Sequence, residues 1–396
     1  MEEGKILRER AFFHWLYNIE GIGRVTVRRL MEAAGSAERV FFMEEERLAL
    51  LLTAAQKKKL LSARRAADVK GEYEALRKKG IDLYPASDPR YPRRLSHIPD
   101  RPEAVYVKGR LPEEGMPAAA VIGARVCSAY GAYLAERFAA AFAEAGVCVI
   151  SGMARGIDGI GQRAALQRGG LTCAVLGCGP DICYPPENRQ VYEAVIRQGA
   201  VISEYPPGTP PRAGLFPQRN RIISGLSDLI LVIEAREKSG TLITVDMALE
   251  QGKEVWAVPG RITDELSRGC NRLIWQGAAP ALSPEQLLEE LFPLSGSGRR
   301  TGAPDREGQA QAAARAKAAA GGRTEGLSPE EQNGGLREAI LRRLEPVPVP
   351  PEYLLRELEK EGISCVLPQL MQLLMELTLE GRCMQEGNRF YRRPQV

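Results

Sequence analysis

Hydrophobic and polar positions alternate in blocks along the middle of the chain. From about residue 117, short apolar runs are separated by longer stretches with amphipathic helical periodicity. The runs are AAAVIG, VCVIS, TCAVLG, AVISE, LILVIEA and EVWAVPG. Near-continuous apolar strands that alternate with helices are typical of a parallel sheet covered on both faces. The pattern therefore predicts an α/β domain with a doubly wound, mostly parallel sheet over residues 111–294.

The two flanking regions have different patterns. Residues 1–110 contain helical patterns around FFHWLYNI, TVRRLMEAAG, EERLALLL and EYEALRKKG, which predict a small helical N-terminal domain. Residues 295–333 begin SGSGRRTGAPDREGQAQAAARAKAAAGG and have almost no large apolar residue, which is typical of a flexible linker.

The C-terminal region, residues 334–396, again contains amphipathic segments. LREAILRRL, PEYLLRELEKEG and CVLPQLMQLLMELTLEG are typical of three helices. RCMQEGNRFYRR is typical of two short strands around a Gly387-Asn388 turn. Three helices followed by a hairpin predict a winged-helix domain. The third helix is rich in leucine and has no lysine or arginine, so a protein-contact or regulatory role is favoured over DNA reading.

Composition narrows the class of protein. The 396 residues are 44% hydrophobic and 26% charged, as expected for a globular protein of two or three domains. No run of eighteen apolar residues occurs, so we expect no membrane span. The chain starts with the charged segment MEEGKILRER, so we expect no export signal and a cytoplasmic location. Eight cysteines are too dilute for a disulfide scaffold. With two histidines, neither a metal site nor a histidine-based triad is expected, and no cofactor is predicted.

The net charge of +4 is unevenly distributed. Residues 111–294 contain more acidic than basic side chains, whereas residues 1–110 have a basic surplus. A uniformly basic coat for nucleic acid is therefore absent. If the middle domain binds a polyanion, it must do so through locally clustered arginines.

Candidate site residues follow the predicted strands. In a doubly wound sheet, ligands bind beyond the carboxyl ends of the strands, where helix N-termini present free amides. GARVCSAYG follows the first strand and contains Arg125 and Ser128. The segment SGMARGID lies at the end of the second strand and begins with Ser151 and Gly152. The glycines of this segment permit close approach of a ligand. The dinucleotide-binding pattern G-x-G-x-x-G is missing from these turns, which removes the main sequence support for such a cofactor.

A second cluster follows the fourth strand. The segment PRAGLFPQRNRIISGL contributes Arg212, Phe216, Arg219, Asn220 and Arg221. Guanidinium groups can hold a phosphate bidentately, and an aromatic ring can stack on a base. The structural alternative is that Phe216 packs in the core and that one arginine pairs with Glu204 or Asp228.

The helix after the fifth strand supplies further anion-binding candidates. Lys238, Ser239 and Gly240 open this helix with hydroxyl and amide donors. An ordinary helix cap explains Ser239 equally well.

A glycine-containing turn near the N-terminus is a candidate auxiliary site. NIEGIGR, with Gly21, Gly23 and Arg24, precedes the helix TVRRLMEAAG and is typical of a helix-hairpin-helix turn, whose amides meet a phosphate. The same glycines could simply form a tight interhelical turn. Auxiliary DNA contact and a purely structural role are therefore evenly weighed.

Eight sequence blocks together carry a family resemblance. They are GARVCSAYG, SGMARGID, LGCGPDICYPPEN, SEYPPG, FPQRNRIISGLS, SGTLITVDMALEQG, VWAVPG and GCNRLIWQGA, in this order over about residues 118–279. This succession resembles the DNA-processing protein A family, also called DprA or Smf. YPRRLSHIPDRPEAVYVKG resembles the segment that joins the family's helical, SAM-like or helix-hairpin-helix domain to its Rossmann-like domain. The resemblance thus covers about residues 10–290.

The resemblance implies a homodimeric, non-enzymatic protein that binds single-stranded DNA and loads the RecA recombinase onto it during natural transformation. Single-strand-binding protein is a further candidate partner. By position, Arg125 matches the arginine of the family's G-S/T-R turn, and Phe216, Arg219 and Arg221 match its F-P-x-R-N-R block. Ala124 departs from the usual Ser or Thr. A lysine often found before Phe216 is also missing, and the resemblance leaves Arg212 as its substitute.

Two other functions compete with this one. The chain also resembles Rossmann-like nucleotide hydrolases that activate cytokinins, in its fold and in Ser239-Gly240-Thr241. However, the glycine pair of their P-G-G-x-G-T turn is missing, and Glu250 lies too far along the helix to serve as the catalytic acid. The second competitor is a protein-binding scaffold whose arginines are merely structural.

Overall fold

The computed structural model of the chain describes residues 2–291, 329–344, 349–360, 362–363, 365–386 and 389–392. These residues fall into two compact units, one within residues 1–292 and the other within residues 293–396. Most of the predicted linker lies outside the described residues, and its last five positions belong to a helix. The domain boundaries expected after residues 110, 294 and 333 stay predictions.

The first unit begins with helices, as its periodicity predicts. They are α1 (Glu2–Tyr17), α2 (Arg24–Ala34), α3 (Ala37–Phe41), α4 (Glu45–Leu51), α5 (Ala54–Ala66) and α6 (Val69–Lys78). Local signals set their ends: a capping box between Thr53 and Gln56 starts α5, and Gly35 ends α2 in the left-handed conformation. Their apolar faces meet in one core that contains Trp15, Leu30 and Leu60.

Two strands follow these helices in a region where the sequence predicted only helices. They are β1 (Ile81–Pro85) and β2 (Ala104–Gly109), and they form an antiparallel extension of the main sheet. Leu83 and Tyr106 pack against the N-terminal helices, whereas Val105 and Val107 face the core of the sheet. The purely helical prediction was incomplete, because these short β-rich runs acquire two buried faces only through tertiary packing.

The rest of the sheet consists of β3 (Ala118–Ile122), β4 (Cys148–Ser151), β5 (Thr172–Leu176), β6 (Ala200–Ser203), β7 (Leu229–Val232), β8 (Glu254–Ala257) and β9 (Ala279–Pro280). The nine strands lie in the order β1-β2-β6-β5-β4-β3-β7-β8-β9, and all neighbours from β6 to β9 are parallel. The six predicted strands and the mostly parallel, Rossmann-like sheet are thereby confirmed. Strand order reverses between β3 and β7, which places a crevice at their carboxyl ends.

Helices cover both faces of this sheet. In chain order they are α7 (Arg93–Ser96), α8 (Ala129–Glu144), α9 (Ile157–Gln167), a 3₁₀ helix (Pro186–Asn188), α10 (Arg189–Gln198), α11 (Leu215–Leu226), α12 (Gly240–Glu250), α13 (Arg268–Trp275) and α14 (Pro284–Leu291). Helices α8, α9 and α14 share a core around Phe138 on one face. Helices α7, α11, α12 and α13 pack on the other face, around Ile222 and Val245. None of the described helices is long and apolar enough to cross a membrane.

The second unit has the element order predicted for a winged helix. It contains α15 (Pro329–Arg343), α16 (Pro351–Lys360) and α17 (Leu367–Leu379), followed by the antiparallel strands β10 (Cys383–Glu386) and β11 (Arg389–Arg392). Val349 forms a β-bridge with Phe390. The predicted Gly387-Asn388 turn lies outside the described residues.

A buried ion pair joins the N-terminal helices to the sheet. Arg10 of α1 donates to both carboxylate oxygens of Asp88, at 2.6 and 2.9 Å, and its guanidinium lies 4.6 Å from the centre of the Tyr84 ring. Both side chains of the pair are almost fully buried. Since a buried ion is costly without its partner, this contact fixes where the helices dock.

His14 is a second polar group between the helices and the sheet. Its Nδ1 lies 3.2 Å from the hydroxyl of Tyr106 and 2.9 Å from the side-chain amide of Asn18. Burial lowers the pKa of His14 to about 4. The folded protein therefore keeps His14 neutral at pH values where the unfolded chain protonates it.

We expect His14 to make the protein less stable as the pH falls from about 6.5 to about 4. Within this window the unfolded chain binds a proton that the folded state excludes, so the contribution of His14 is full above it and lost below. Between pH 7 and pH 5 the free energy of unfolding should fall by about 2 kcal/mol more in the wild type than in His14→Gln. Urea unfolding at both pH values measures this difference. The exposed His97→Gln should behave like the wild type, and equal losses in all three proteins would contradict the assignment.

Candidate functional site

A crevice of about 710 Å³ opens where the strand order reverses. It lies between the turn after β3, the start of α11 and the N-terminus of α12. The structure brings several of the predicted site residues to its lining: Arg125, Phe216, Arg219, Asn220, Ser239 and Gly240. The crevice is therefore where the sequence expected ligands of a doubly wound sheet to bind.

Arg125 stands at the mouth of the crevice on a tightly packed turn. Gly156, with a φ of +69°, lies directly against the carbonyl groups of Ala124 and Arg125, where any side chain would collide. The Arg125 side chain itself is exposed, and among the described residues no carboxylate lies within 4.0 Å of it. A fixed backbone thus presents an uncompensated guanidinium to solvent.

The aromatic ring of Phe216 lies next to this guanidinium. The Arg125 Cζ is 5.7 Å from the ring centre, within cation–π range. Tyr184 stacks on Phe216 with ring centres 5.5 Å apart and planes inclined by 27°. Gly177 makes this close packing possible, because a Cβ there would come within 2.8 Å of the Phe216 ring. Phe216 is half-buried and lines the crevice, and it is not part of the hydrophobic cores of the described residues, in contrast to the structural alternative in which it packs in the core.

Tyr184 is a site residue that the sequence analysis missed. Its side chain is 41% exposed, and it lines the crevice together with Phe216. The available signal was a single aromatic residue in LGCGPDICYPPEN, a block that follows β5. Without the structure, nothing placed that residue beside the aromatic residue of α11.

The loop that carries Tyr184 is held by hydrogen bonds. Tyr192 donates its hydroxyl to the carbonyl of Pro180 at 2.7 Å. The side-chain amide of Asn188 donates to the carbonyls of Met153 and Ala154 at 3.0 and 3.1 Å. Tyr184 is therefore positioned before any ligand arrives, which reduces the entropy cost of binding.

Arg219 lies in the floor beneath this mouth. Its side chain is only 5% exposed, and Nη1 donates to the carbonyl oxygens of Gly152, at 3.0 Å, and Val175. These carbonyls belong to the ends of β4 and β5. Burial lowers the pKa of Arg219 to about 10, although the nearby Asp158 opposes this shift.

Asp158 is the acidic counterpart of Arg219 in the floor. It accepts the backbone N–H of Gly152 at 3.1 Å. Burial raises the pKa of Asp158, and the charge of Arg219 and this N–H act in the opposite direction. The pair thus fills the space under the crevice with groups that already have partners.

Arg221 is also committed to protein partners. Its Nη2 donates to both oxygens of Glu204, at 2.7 and 2.8 Å, and its Nε donates to the carbonyl of Asp100 at 2.7 Å. This matches the structural alternative in which one arginine pairs with Glu204. The other acid named in that alternative, Asp228, pairs with Arg94 instead.

Three of the predicted site residues have structural contacts beneath or beside the crevice: Ser128, Ser151 and Gly152. Ser128 caps α8 by accepting from Gly131 N–H at 3.0 Å, and it donates to Glu234. Ser151 is fully buried and donates to the carbonyl of Val121 at 2.7 Å. Gly152 leaves room for Arg219, since a Cβ there would come within 2.5 Å of the guanidinium.

Lys238 and Arg212 flank the crevice without lining it. Both side chains are exposed and, within the described part of the chain, neither lies within 4.0 Å of a carboxylate. Gly240 is the exposed first residue of α12, and the buried hydroxyl of Ser239 beside it has no hydrogen-bond partner among the residues that the structure describes. Cationic and donor groups therefore surround the crevice mouth.

The N-terminal glycine turn lies outside the crevice lining. Gly21 has a φ of +84° and Gly23 caps α2, which is the geometry of a tight interhelical turn. Arg24 donates to the Asp100 carboxylate at 2.7 Å. The same carboxylate lies 3.3 Å from Nε of Arg221, so this turn is connected to α11 through Asp100.

The lining of the crevice combines one buried carboxylate with exposed cationic and aromatic groups. Among its lining residues the only carboxylate is that of Asp158, which is buried. In the described part of the chain no group of three His, Cys, Asp or Glu side chains is arranged to hold a metal ion. The cationic and aromatic groups are the guanidinium groups of Arg125 and Arg236 and the stacked rings of Tyr184 and Phe216, which suit an anion and a planar base. The Arg236 guanidinium lies 3.8 Å from the carboxylate of Glu265, whereas that of Arg125 is unpaired among the described residues.

Comparisons with known proteins agree with the resemblance in the sequence blocks. The family model described as DNA recombination-mediator protein A matches residues 82–292. The DNA processing protein DprA of Streptococcus pneumoniae is 43% identical over 201 residues, which cover 51% of this chain and 71% of that protein. Protein Smf of Escherichia coli is 43% identical over 217 residues, 54% of this chain and 58% of that protein.

A solved structure extends the similarity to three dimensions. The X-ray structure of DprA from Streptococcus pneumoniae matches with a TM-score of 0.62 and 33% identity, covering 71% of this chain and 97% of that one. The chain spans only 58% of the length of the Smf proteins of Escherichia coli and Synechocystis. Because the family model covers more than half of the sequence and the sheet, crevice and ordered blocks all fall within it, this chain belongs to the DNA recombination-mediator protein A family.

Proposed function

We propose that this protein binds single-stranded DNA at the crevice between β3 and β7 and, as a cytoplasmic homodimer, loads the RecA recombinase onto that DNA. The observation that carries the proposal is the exposed guanidinium of Arg125 beside the stacked rings of Tyr184 and Phe216. Membership in a family of recombination mediators supports DNA as the ligand.

Arg125 and Tyr184 supply two different kinds of binding energy. The free guanidinium of Arg125 holds a phosphate by charge and paired hydrogen bonds. The exposed ring of Tyr184, backed by Phe216, stacks on a base. A base inside a duplex presents no free face, so this arrangement favours a single strand. Lys238, Arg212 and the amide of Gly240 extend the cationic edge along the backbone of the strand.

Arg219 and Arg221 support the site in this proposal instead of gripping DNA. Both are buried and already donate to carbonyl or carboxylate oxygens. Asn220, which lies between them, is partly exposed in the crevice; its Oδ1 accepts from Nε of Arg219 at 3.3 Å, which leaves its amide NH2 to contact DNA. The turn containing Gly21 and Gly23 is retained as an auxiliary contact, with its Arg24 engaged by Asp100.

The protein acts without catalysis in this proposal. Glu250, the candidate acid of the hydrolase alternative, is the last residue of α12, whereas the first residues of that helix line the crevice. Glu234 lies near the end of β7 but is buried and accepts both the N–H and the hydroxyl of Ser128. General acid–base hydrolysis needs a pair of accessible proton-transfer groups, and these carboxylates do not form one.

Mediation requires more than DNA binding. A protein that merely coats a strand blocks recombinase, whereas a dimer with two DNA sites and a recombinase contact makes filament nucleation a tethered event. Effective concentrations near the millimolar range favour such an event strongly. Because such a dimer holds DNA and recombinase together, it also acts on strands already covered by single-strand-binding protein.

Arg125→Ala and Tyr184→Ala should weaken single-strand binding in different ways. Loss of Arg125 removes one phosphate contact and should flatten the plot of log affinity against log salt concentration by about 0.7. Loss of Tyr184 removes stacking worth about 1–3 kcal/mol and should lower affinity with the slope unchanged, while Tyr184→Phe retains binding. Fluorescence anisotropy of a labelled oligothymidylate over a salt series measures both quantities. Equal affinity for a duplex and a single strand at one salt concentration would argue against the site.

Arg219→Met should destabilise the fold by about 1–3 kcal/mol, because it leaves two buried carbonyl oxygens without this donor and removes the charge that offsets the burial of Asp158. Arg125→Met is the matched control, and its exposed position predicts a change within about 0.5 kcal/mol. Urea unfolding followed by circular dichroism measures both. If Arg219→Met unfolds like the wild type but loses DNA affinity, the supporting role of Arg219 is wrong and a direct contact is favoured.

The mediator role predicts an effect on recombinase assembly. Substoichiometric protein should speed RecA nucleation on DNA precoated with single-strand-binding protein, and a monomeric variant should lose this effect more than it loses DNA affinity. The readout is RecA-dependent ATP hydrolysis on precoated circular single strands. Arg125→Ala serves as the DNA-binding control. Inhibition at every protein ratio would reduce the function to plain DNA binding.

A further inference from the structure

The second unit concentrates its positive charge in one place. The segment RCMQEGNRFYRR, which includes β10 and β11, contains four arginines and one glutamate. By contrast, α17 contains no lysine or arginine. The hairpin, and not the third helix, is therefore the basic element of this winged-helix unit.

Arginines of the hairpin meet an arginine of α15 at a cleft. The cleft has a volume of about 270 Å³ and is lined by Glu338, Leu341, Arg342, Arg382 and Arg392. Arg382 directly precedes β10, and Arg392 ends β11 opposite Cys383. All three arginine side chains are exposed.

In the described part of the second unit, these three guanidinium groups have no acidic partners. Among the described residues none of them lies within 4.0 Å of a carboxylate, and Arg342 donates only to the backbone carbonyl of Glu338, at 3.4 Å. Arg337, one and a half turns earlier on α15, shows the opposite behaviour, because it pairs with both Glu376 and Glu380. Glu376 and Glu380 are thus used elsewhere, and the three arginines outnumber Glu338, the one acid that lines the cleft.

Three like charges around one cleft repel each other unless an anion lies between them. Phosphodiester oxygens match the fork of donors on a guanidinium, and a nucleic-acid backbone supplies several phosphates in succession. The exposed side chains of α17 are the apolar Leu367, Met375 and Leu379 together with Gln369 and Gln372, and none of them lines the cleft. The chemistry therefore favours the backbone and not the base sequence.

We infer that the cleft formed by Arg342, Arg382 and Arg392 is a second nucleic-acid site, which holds the phosphodiester backbone without regard to sequence. It lies in a different unit from the crevice between β3 and β7 and uses different residues. The protein then holds DNA at two chemically distinct sites: one that needs an unpaired base and one that needs only phosphates. Either a single strand or a duplex can supply those phosphates.

The test uses the full chain, with the triple variant Arg342→Ala, Arg382→Ala, Arg392→Ala. Arg356→Ala on α16 is the matched control, since this arginine is exposed and does not line the cleft. A labelled oligothymidylate and a duplex of equal length are titrated over a salt series. The triple variant should flatten the salt slope by about 0.9 per lost contact on the duplex and about 0.7 on the single strand, and the control should leave both slopes unchanged.

Two further variants separate the possible outcomes. Arg342→Lys, Arg382→Lys, Arg392→Lys keeps the charges and should retain most of the slope, and Arg382→Glu alone should reduce it, so neither result depends on the folding of the triple alanine variant. Wild-type slopes on both probes in the triple alanine and Arg382→Glu proteins would overturn the inference and favour an acidic protein partner. Arg125→Ala should change binding to the single strand only, so failure of the crevice proposal and failure of the cleft proposal give different patterns.

Discussion

The buried guanidinium of Arg219 is the contact on which the arrangement of the crevice depends. It reaches from α11 under the sheet's carboxyl edge and ties together the chain just after β4 and the end of β5. A positive charge in this position is tolerable because Asp158 and the carbonyl dipoles surround it. The same helix carries Phe216, so fixing α11 against two strands also fixes the ring on which Tyr184 stacks. Packing in the interior thereby sets the geometry of an exposed binding edge.

Asp100 extends this order toward the N-terminal helices. It connects Arg24, at the start of α2, with Arg221 of α11, while Glu204 holds the other side of the Arg221 guanidinium. Arg24 and Arg221, which the sequence analysis predicted as DNA contacts, thus join elements that are far apart in the chain. Two glycines allow close packing at the site. Gly156 lies against the backbone of Arg125, and Gly177 lies against the ring of Phe216. Exposed cations that remain free, such as Arg125, are then available for a ligand.

The sequence was sufficient to predict the six strands β3 to β8, but it did not show which arginines are structural and which are free to bind a ligand. The six apolar runs predict six strands, because a strand that is buried on both faces consists almost entirely of apolar residues. β1 and β2 escaped prediction because their burial depends on helices packed by tertiary contacts. The sequence alone does not distinguish the roles of Arg125, Arg219 and Arg221. In the structure Arg125 is exposed, whereas Arg219 and Arg221 are buried and structural. Tyr184 escaped for a similar reason, since its stacking partner is distant in the chain.

The antiparallel pairing of β2 with β6 gives the N-terminal segment a protective role. β6 would be the outermost parallel strand if residues 104–109 were removed, and its free N–H and C=O groups would then face solvent. An unpaired edge of this kind is a template for pairing with another chain. A protein cut after residue 109 would therefore lose β2 and leave a parallel core prone to self-association.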